Sequence, residues 1–492
     1  MIADLFAAQL AGEFPHQFTA GQAAAAHALS RFVTTPRREA AFILRGYAGT
    51  GKTSLVGALV RTLRSLGRDV VLMAPTGRAA KVFSLHAGSQ AFTIHKVIYR
   101  QQTFNGEGTR FSLGFNKLKN ALFIVDEASM VAFSDSGGVF GTGQLLDDLI
   151  RYVYDGEGCR LLLVGDTAQL PPVGEEESPA LSADALRGYG LLVGQADLTE
   201  VVRQSADSGV LAGATRLRCQ LADGVETLPR IVGSHGGEVR FLPGDELIDA
   251  LLSAYGDCGT RGTIVITRSN KWANRYNAGI RARIFDREDF LTRGDTVMAV
   301  RNNYFWTAQA TAAQAAESTA TQAETQLSFI ANGDTAEVVR LHNVHTMHGF
   351  TFADATLRFP DYDDAEIDCR VMLDTLTSES PALTAEESHR LYESVLSDYA
   401  DVPSKRERMK RLREDPYYNA LQIKYAYAVT CHKAQGGQWE RVFVDQGYLP
   451  DNLSLTAYLR WLYTAFTRTT DRLYLVNWPA GQRAASAEAT DD

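Results

Sequence analysis

Gly46-Tyr47-Ala48-Gly49-Thr50-Gly51-Lys52-Thr53 follows the apolar run Phe42–Leu44 and precedes a stretch, Ser54–Leu66, whose pattern reads as helix. The stretch fits G-x-x-x-x-G-K-[ST] in the strand–loop–helix setting that the motif requires. Its glycines let a loop curl so that backbone N–H groups and the helix N-terminus face phosphate oxygens. Lys52 is then placed to neutralise the β and γ phosphates, and the Thr53 hydroxyl to ligate Mg²⁺. The expected nucleotide contacts are therefore Gly46, Gly49, Thr50, Gly51, Lys52 and Thr53, with ATP and Mg²⁺ the expected cofactors.

Moving outward, Leu122-Phe-Ile-Val-Asp126-Glu127 puts two carboxylates at the end of a buried strand, which is where ligands sit in open parallel sheets. Asp126 is expected to hold Mg²⁺ through water, and Glu127 to orient and deprotonate the attacking water; the alternative for such a pair is a helix N-cap. A third strand, Leu161–Val164, leads into Gly165-Asp166-Thr-Ala-Gln169, so that Gln169 is a candidate sensor of the terminal phosphate. Val70–Ala74 completes a first series of short apolar runs separated by helical segments. A second series comprises Thr263–Thr267, Tyr425–Thr430, Val442–Asp445 and Leu473–Val476. Two such series predict two α/β units with doubly wound parallel sheets.

Residues 1–38 read as helix, on the apolar face of Leu5, Leu10, Phe18 and Gln22–Leu29. Residues 306–327, rich in Ala, Thr and Gln, read as a mobile loop, with an Ala-rich helix the alternative. Residues 335–415 open with short alternating strands (Glu337–Leu341, Thr356–Phe359, Val371–Asp374) and end in a basic helical region, which reads as an inserted β-rich module. The acidic run Asp361–Asp368 reads as a solvated loop, with a metal site the minor reading. His342-x-x-His345-x-x-His348 reads as coincidence rather than a metal site.

The 492 residues suggest three or four domains at about 100–200 residues each. A net charge of −9 argues against a chain that coats nucleic acid everywhere but leaves room for a local basic groove. Five scattered cysteines without C-x-x-C spacing read as reduced thiols. The first basic residue is Arg31 and no apolar run is long enough to cross a bilayer. A cytoplasmic setting with no membrane partner is the expectation.

In motif order, from Gln22 to Arg468, the chain resembles a superfamily 1B helicase of the RecD/Dda-like type. The resemblance implies that Gln22, in Phe18-Thr-Ala-Gly-Gln22, reads the adenine edge. Ala74-Pro75-Thr76-Gly77-Arg78-Ala79 resembles motif Ia and Thr93-Ile-His95-Lys96 motif Ib, whose small residues and exposed N–H groups suit a strand held by its phosphates. Gly165–Gln169 resembles motif III. Thr199-Glu200-Val-Val-Arg203-Gln204 resembles motif IV and Thr464-Ala-Phe-Thr-Arg468 motif VI, which implies that Arg203 and Arg468 are fingers to the γ-phosphate. Val429-Thr430-Cys431-His432-Lys433-Ala-Gln-Gly436 resembles motif V, with Thr430, His432 and Lys433 on the strand and Gly436 near phosphate.

The implied fold is α/β, with two tandem RecA-like domains and two insertions. Domain 1A spans 1–198 and carries a hairpin insertion, 1B, at about 99–117. Domain 2A spans 199–334 and 416–492, and an SH3-like 2B insertion spans 335–415. In the hairpin, Asn105-Gly106 signals a tight turn, and Phe104 or Phe111 is the candidate for stacking on a base at the fork. The implied activity is ATP-dependent unwinding of DNA by 5′→3′ movement along single-stranded DNA. The chain is expected to act on forked duplex as a monomer, with replication or repair proteins as possible partners. Rival readings are an RNA- or protein-remodelling ATPase, a phosphate-loop switch without motor action, and a nuclease.

Overall fold

The computed structural model describes residues 2–103, 109–133, 142–201, 208–224, 227–233, 237–310, 327, 329–450 and 452–484. Arg203, Gln204, Phe104, the Asn105-Gly106 turn, the Phe111 side chain and, of the stretch 306–327, residues 311–326 lie outside what is described.

Two helices, α1 (Ile2–Glu13) and α2 (Ala20–Thr34), precede the first sheet. The single helix expected over 1–38 is broken because Pro15 lies between them and Thr19 starts a new helix with a capping box. In that box the Thr19 hydroxyl accepts from Gln22 N–H and Gln22 Oε1 accepts from Thr19 N–H.

The first sheet contains β1 (Ala40–Gly46), β2 (Val70–Ala74), β3 (Ala91–Thr93), β6 (Leu122–Val125), β7 (Arg160–Gly165) and β8 (Leu192–Leu198). Its order is β3-β2-β6-β7-β1-β8 and every pairing is parallel. Alternate residues of β1 face opposite cores: Phe42 and Leu44 meet Leu10, Leu29 and Leu59, whereas Ala41 and Ile43 meet Phe123, Leu149 and Leu163. Burial on both faces is why these strands read as unbroken apolar runs. Between β3 and β6, β4 (Tyr99–Thr103) and β5 (Thr109–Leu113) pair antiparallel.

The second half contains β9 (Ile231–Val232), β10 (Val239–Leu242), β11 (Thr263–Thr267), β12 (Thr296–Ala299), β13 (Thr335–Met347), β14 (Phe350–Phe359), β15 (Ala365–Met372), β16 (Leu421–Tyr425), β17 (Ala428–Thr430), β18 (Trp439–Asp445), β19 (Thr469–Val476) and β20 (Arg483–Ala484). Five of them form a second parallel sheet, β10-β19-β18-β11-β17. Two parallel sheets in tandem fit a pair of RecA-like domains.

Between β11 and β17 the chain leaves to build a closed barrel of β12 to β16. The barrel takes β12 and β16 from outside the 335–415 window. Tyr425–Thr430, read as one strand, is two: its start ends the barrel, and Ala428–Thr430 returns to the sheet. One core joins the two bodies, since Val265 and Phe443 of the sheet pack with Val297, Val338 and Leu357 of the barrel.

A buried ion cluster sits at their junction. Asp295 accepts from Arg281 (3.1 and 3.0 Å), Arg287 (2.8 Å) and Tyr427 Oη (2.9 Å). Burial alone would push the Asp295 carboxyl up, but these donors and Thr292 N–H hold it below its ordinary value. Of the three histidines of β13 and its turn, His345 bonds Asn343 O and Tyr417 Oη, and His348 bonds Ser394 Oγ. Among the described residues no helix is long and apolar enough to cross a membrane, and no cluster of three or more His, Cys, Asp or Glu residues could hold a metal ion.

Candidate functional site between the two sheets

The glycine loop leaves the C-terminal end of β1 and enters α3 (Lys52–Ser65). Gly49 and Gly51 carry φ of +74° and +81°, which side-chain-bearing residues rarely adopt. A Cβ at Gly46 would lie 2.9 Å from both Lys52 Cγ and Thr50 Oγ1, so the loop curls as a phosphate cradle must. Lys52 Nζ donates to Tyr47 O (2.9 Å), inside its own loop.

Asp126 and Glu127 stand at the end of β6, and Glu127 is held at φ +52°. Desolvation first, then Glu127, pushes the Asp126 carboxyl up to about 7, while Lys52 pulls it down. Lys52 and the two carboxylates therefore share one space, and carboxylate oxygens are donors of the kind that Mg²⁺ takes. Gln169, four residues beyond the end of β7, is buried with its Oε1 lacking a hydrogen-bond partner. Gln22 donates to Thr50 O (3.0 Å) while its carbonyl serves the capping box, so it touches the loop from behind with both ends of its amide engaged.

The second lobe closes directly on this loop through the helix Leu455–Phe466. Ala48 N–H donates to Tyr463 Oη (2.9 Å), which in turn donates to Asp166 (2.5 Å). Leu170 N–H donates to Thr464 Oγ1 (2.9 Å), and Gln435 donates to Leu170 O (2.7 Å). Ala168 and Leu170 belong to the same core as Val442, Val444 and Leu462 of the second lobe. Arg468 does not meet the phosphate loop: it is 3% exposed and donates to Thr464 O, Gly437 O and Thr467 Oγ1.

At the segment expected to grip a strand, Thr76 caps α4 (Gly77–Ala87) through Ala79 N–H (3.2 Å), with Pro75 half-buried just ahead of it. Arg78 turns away from that edge to Gln438 O and the Trp439 ring of the second lobe. His95 lies 5.6 Å from Tyr99 and 6.4 Å from Phe329, centroid to centroid. Lys96 sits over Phe92.

Motif V brings Thr430 to the N-cap of the short helix Cys431–Ala434, with His432 exposed. Gly436 of the same motif lies against Thr76 and Ala79, so it meets motif Ia rather than the phosphate loop. Lys433 Nζ donates to Asn332 Oδ1; burial first, then Lys424, pushes its ammonium down to about 8. A cavity of about 470 Å³ opens between α4, Thr93, Lys96 and the barrel turn at Asp361–Asp363.

Tyr463 and Trp439 were not singled out in the sequence. Both read as core aromatics, and Tyr463 stands in the apolar string Tyr458–Phe466. The one available signal was its place immediately before Thr464-Ala-Phe-Thr-Arg468.

A glycine loop, an acidic strand end and a buried glutamine, closed over by a second parallel-sheet lobe, are the parts of a two-lobed P-loop fold. Residues 17–230 match the AAA domain family and residues 425–476 the UvrD-like helicase C-terminal domain. The chain is 35% identical over 176 residues to the ATP-dependent RecD2 DNA helicase of Deinococcus radiodurans, an alignment covering 35% of this chain and 21% of that protein. It is 26% identical over 263 residues to the ATP-dependent DNA helicase dda of Enterobacteria phage T4, covering 52% and 55%. These matches are consistent with a superfamily 1B helicase. The chain thus spans only 21% and 55% of the two relatives' lengths. A Pif1 helicase solved in a study of unwinding at forked DNA aligns over 95% of this chain and 94% of its own, at 17% identity and a TM-score of 0.46.

Proposed function

We propose that the chain is an ATP-driven helicase that moves along single-stranded DNA, 5′→3′, and unwinds duplex at a fork. The observation that carries this reading is the direct clip of the second lobe onto the phosphate loop and the sensor turn, through Ala48, Tyr463, Asp166, Thr464 and Gln435. A switch that only binds nucleotide needs no second lobe there, whereas a motor needs the cleft to change when the nucleotide changes.

Lys52 turns from the Tyr47 carbonyl to the substrate phosphates. Glu127 orients the attacking water and takes its proton, and Gln169 registers the terminal phosphate. Thr53 and Asp126 would hold Mg²⁺, which would supply charge neutralisation at the phosphates. Gln22 supports the loop at the adenine end. Arg468, and Arg203 from outside the described residues, stabilise charge developing on the terminal phosphate; Arg468 must first leave the Gly437 carbonyl. Pro75, Thr76, Ala79, His95 and Lys96 grip the strand from one lobe, and Thr430, His432 and Lys433 from the other, mainly through its phosphates. The barrel serves as the 2B subdomain, and the β4–β5 hairpin splits the duplex, with Phe104 or Phe111 at the fork.

The test is unwinding of forked DNA carrying a 5′ or a 3′ tail, with Lys52→Ala as control and a matched RNA fork alongside. Unwinding of the 5′-tailed DNA alone, absent in the control, is the expected result. Unwinding from the 3′ tail reverses the polarity, unwinding of RNA alone reassigns the substrate, and no unwinding with either removes the helicase reading.

A further inference from the structure

Arg78 stands in the motif expected to grip the strand, yet each partner the structure gives it points elsewhere. It is the second residue of α4, where a side chain could face the strand or the opposing lobe. Its Nη2 donates to Gln438 O at 2.9 Å, and its guanidinium lies 4.0 Å from the centroid of the Trp439 ring. Arg468 holds the preceding carbonyl, Gly437 O, at 3.2 Å. The backbone of Trp439 is tied to the same arginine, because Trp439 N–H donates to Arg468 O at 2.9 Å. Two arginines, one from each lobe, therefore grip consecutive carbonyls of one turn. Burial first, and then the nearby Arg468, hold the Arg78 guanidinium below its ordinary value, while Asp361 of the barrel opposes them.

The turn between them has little room to deform. A Cβ at Gly437 would lie 2.4 Å from the Trp439 ring and 3.1 Å from Arg78 Nε. Gly436, at φ +73°, would place a Cβ 3.1 Å from the Ala79 methyl and 3.3 Å from Thr76 Oγ1. A close-packed contact of this kind passes on a shift of a neighbouring group instead of absorbing it.

We propose that Arg78 is a positioning residue that latches the motif V turn to α4, so that displacement of Arg468 is passed to the strand-binding helix. This rests on the reading of the chain as a strand-coupled ATPase and gives that coupling a physical link. When Arg468 moves toward a phosphate it releases Gly437 O. Arg78 keeps Gln438 O and Trp439, so the turn swings about that hold and carries Thr76 and Ala79 with it. A planar guanidinium is required because it stacks and donates at once; an ammonium does not reproduce both.

The experiment compares wild type, Arg78→Met and Arg78→Lys in two assays: oligo-dT affinity across a salt series, and ATP turnover with and without oligo-dT. A latch predicts that both variants lose strand stimulation of turnover by about two- to thirty-fold, the span seen for residues that carry coupling without touching ligand. It also predicts that the slope of log affinity against log salt stays at the wild-type value. A slope reduced by about 0.7 in Arg78→Met and restored in Arg78→Lys would make Arg78 a phosphate contact and overturn the proposal. Undiminished stimulation in both variants would overturn it as well. Arg78→Lys keeps the charge and the aliphatic stem, so it carries the test should the Met variant fail to fold. A wild type whose turnover ignores oligo-dT fails the functional reading itself, and the latch with it.

Discussion

The two parallel sheets are built alike and held differently. The first closes its own cores: the residues packed on either face of β1 all come from the first 200 of the chain, save Tyr304 at the margin. The second shares both of its cores, one with the barrel and one with Ala168 and Leu170 of the first lobe. The first sheet is therefore a rigid platform for the phosphate loop. The second is a part whose stability and position depend on its neighbours, as suits the half of a motor that must report on nucleotide and strand together.

Changes at the platform should abolish chemistry and leave the fold intact. Lys52→Ala and Glu127→Gln are each expected to cut ATP turnover by about 10²–10³-fold, with no change in thermal unfolding.

Changes at the shared cores should do the reverse. Arg281→Met leaves Asp295 buried without its main partner and should cost about 3–5 kcal/mol, read by chemical denaturation. The same cluster sets an acid limit. Asp295 is held below the ordinary carboxylate value, so its contribution is present above about pH 4 and is lost as pH falls through its folded value. Asp295→Asn should flatten that part of the stability profile, and an unchanged acid transition would refute the assignment.

Between these extremes lies the clip itself. Tyr463→Phe keeps the ring but strands Ala48 N–H and one oxygen, Oδ2, of Asp166, at a cost of about 1–3 kcal/mol. It should loosen the lobes and blunt strand stimulation while leaving the first sheet's protection from hydrogen exchange unchanged. Loss of protection throughout β1 and β7 would mean that the two sheets are not distinct units.

The smallest effect concerns pH. With its ammonium pushed down to about 8, Lys433 carries its charge below that pH and loses it above, so affinity for single-stranded DNA should weaken between pH 7 and 9. Lys433→Arg, charged throughout, should remove the dependence.

The same contrast explains what could be read from the sequence. The phosphate loop, the Asp126-Glu127 pair and the apolar strands of the first sheet are local patterns, and they appear where spacing puts them. In the second half, β10 escaped notice because it is only four residues long and Arg240 interrupts its apolar run. The outer half of β13 is mostly exposed, so only Glu337–Leu341 carried an alternating signal. Nothing in Tyr425–Thr430 marks where a barrel strand ends and a sheet strand begins.

The partners of Arg78 are set by packing against a segment 360 residues further along the chain, and Arg468 turns back to carbonyls of its own lobe; periodicity encodes neither. The resemblance directed both arginines to ligands. In the structure both instead hold one turn at the end of motif V, through Gln438 O and Gly437 O.

The most direct measurement is ATP hydrolysis by the wild-type chain at saturating Mg²⁺-ATP, with and without single-stranded DNA, and with Lys52→Ala beside it. Two lobes clipped together at the phosphate loop predict that the strand raises turnover by about 5- to 150-fold, and that the variant shows none of it. Equal turnover with and without the strand would contradict the account.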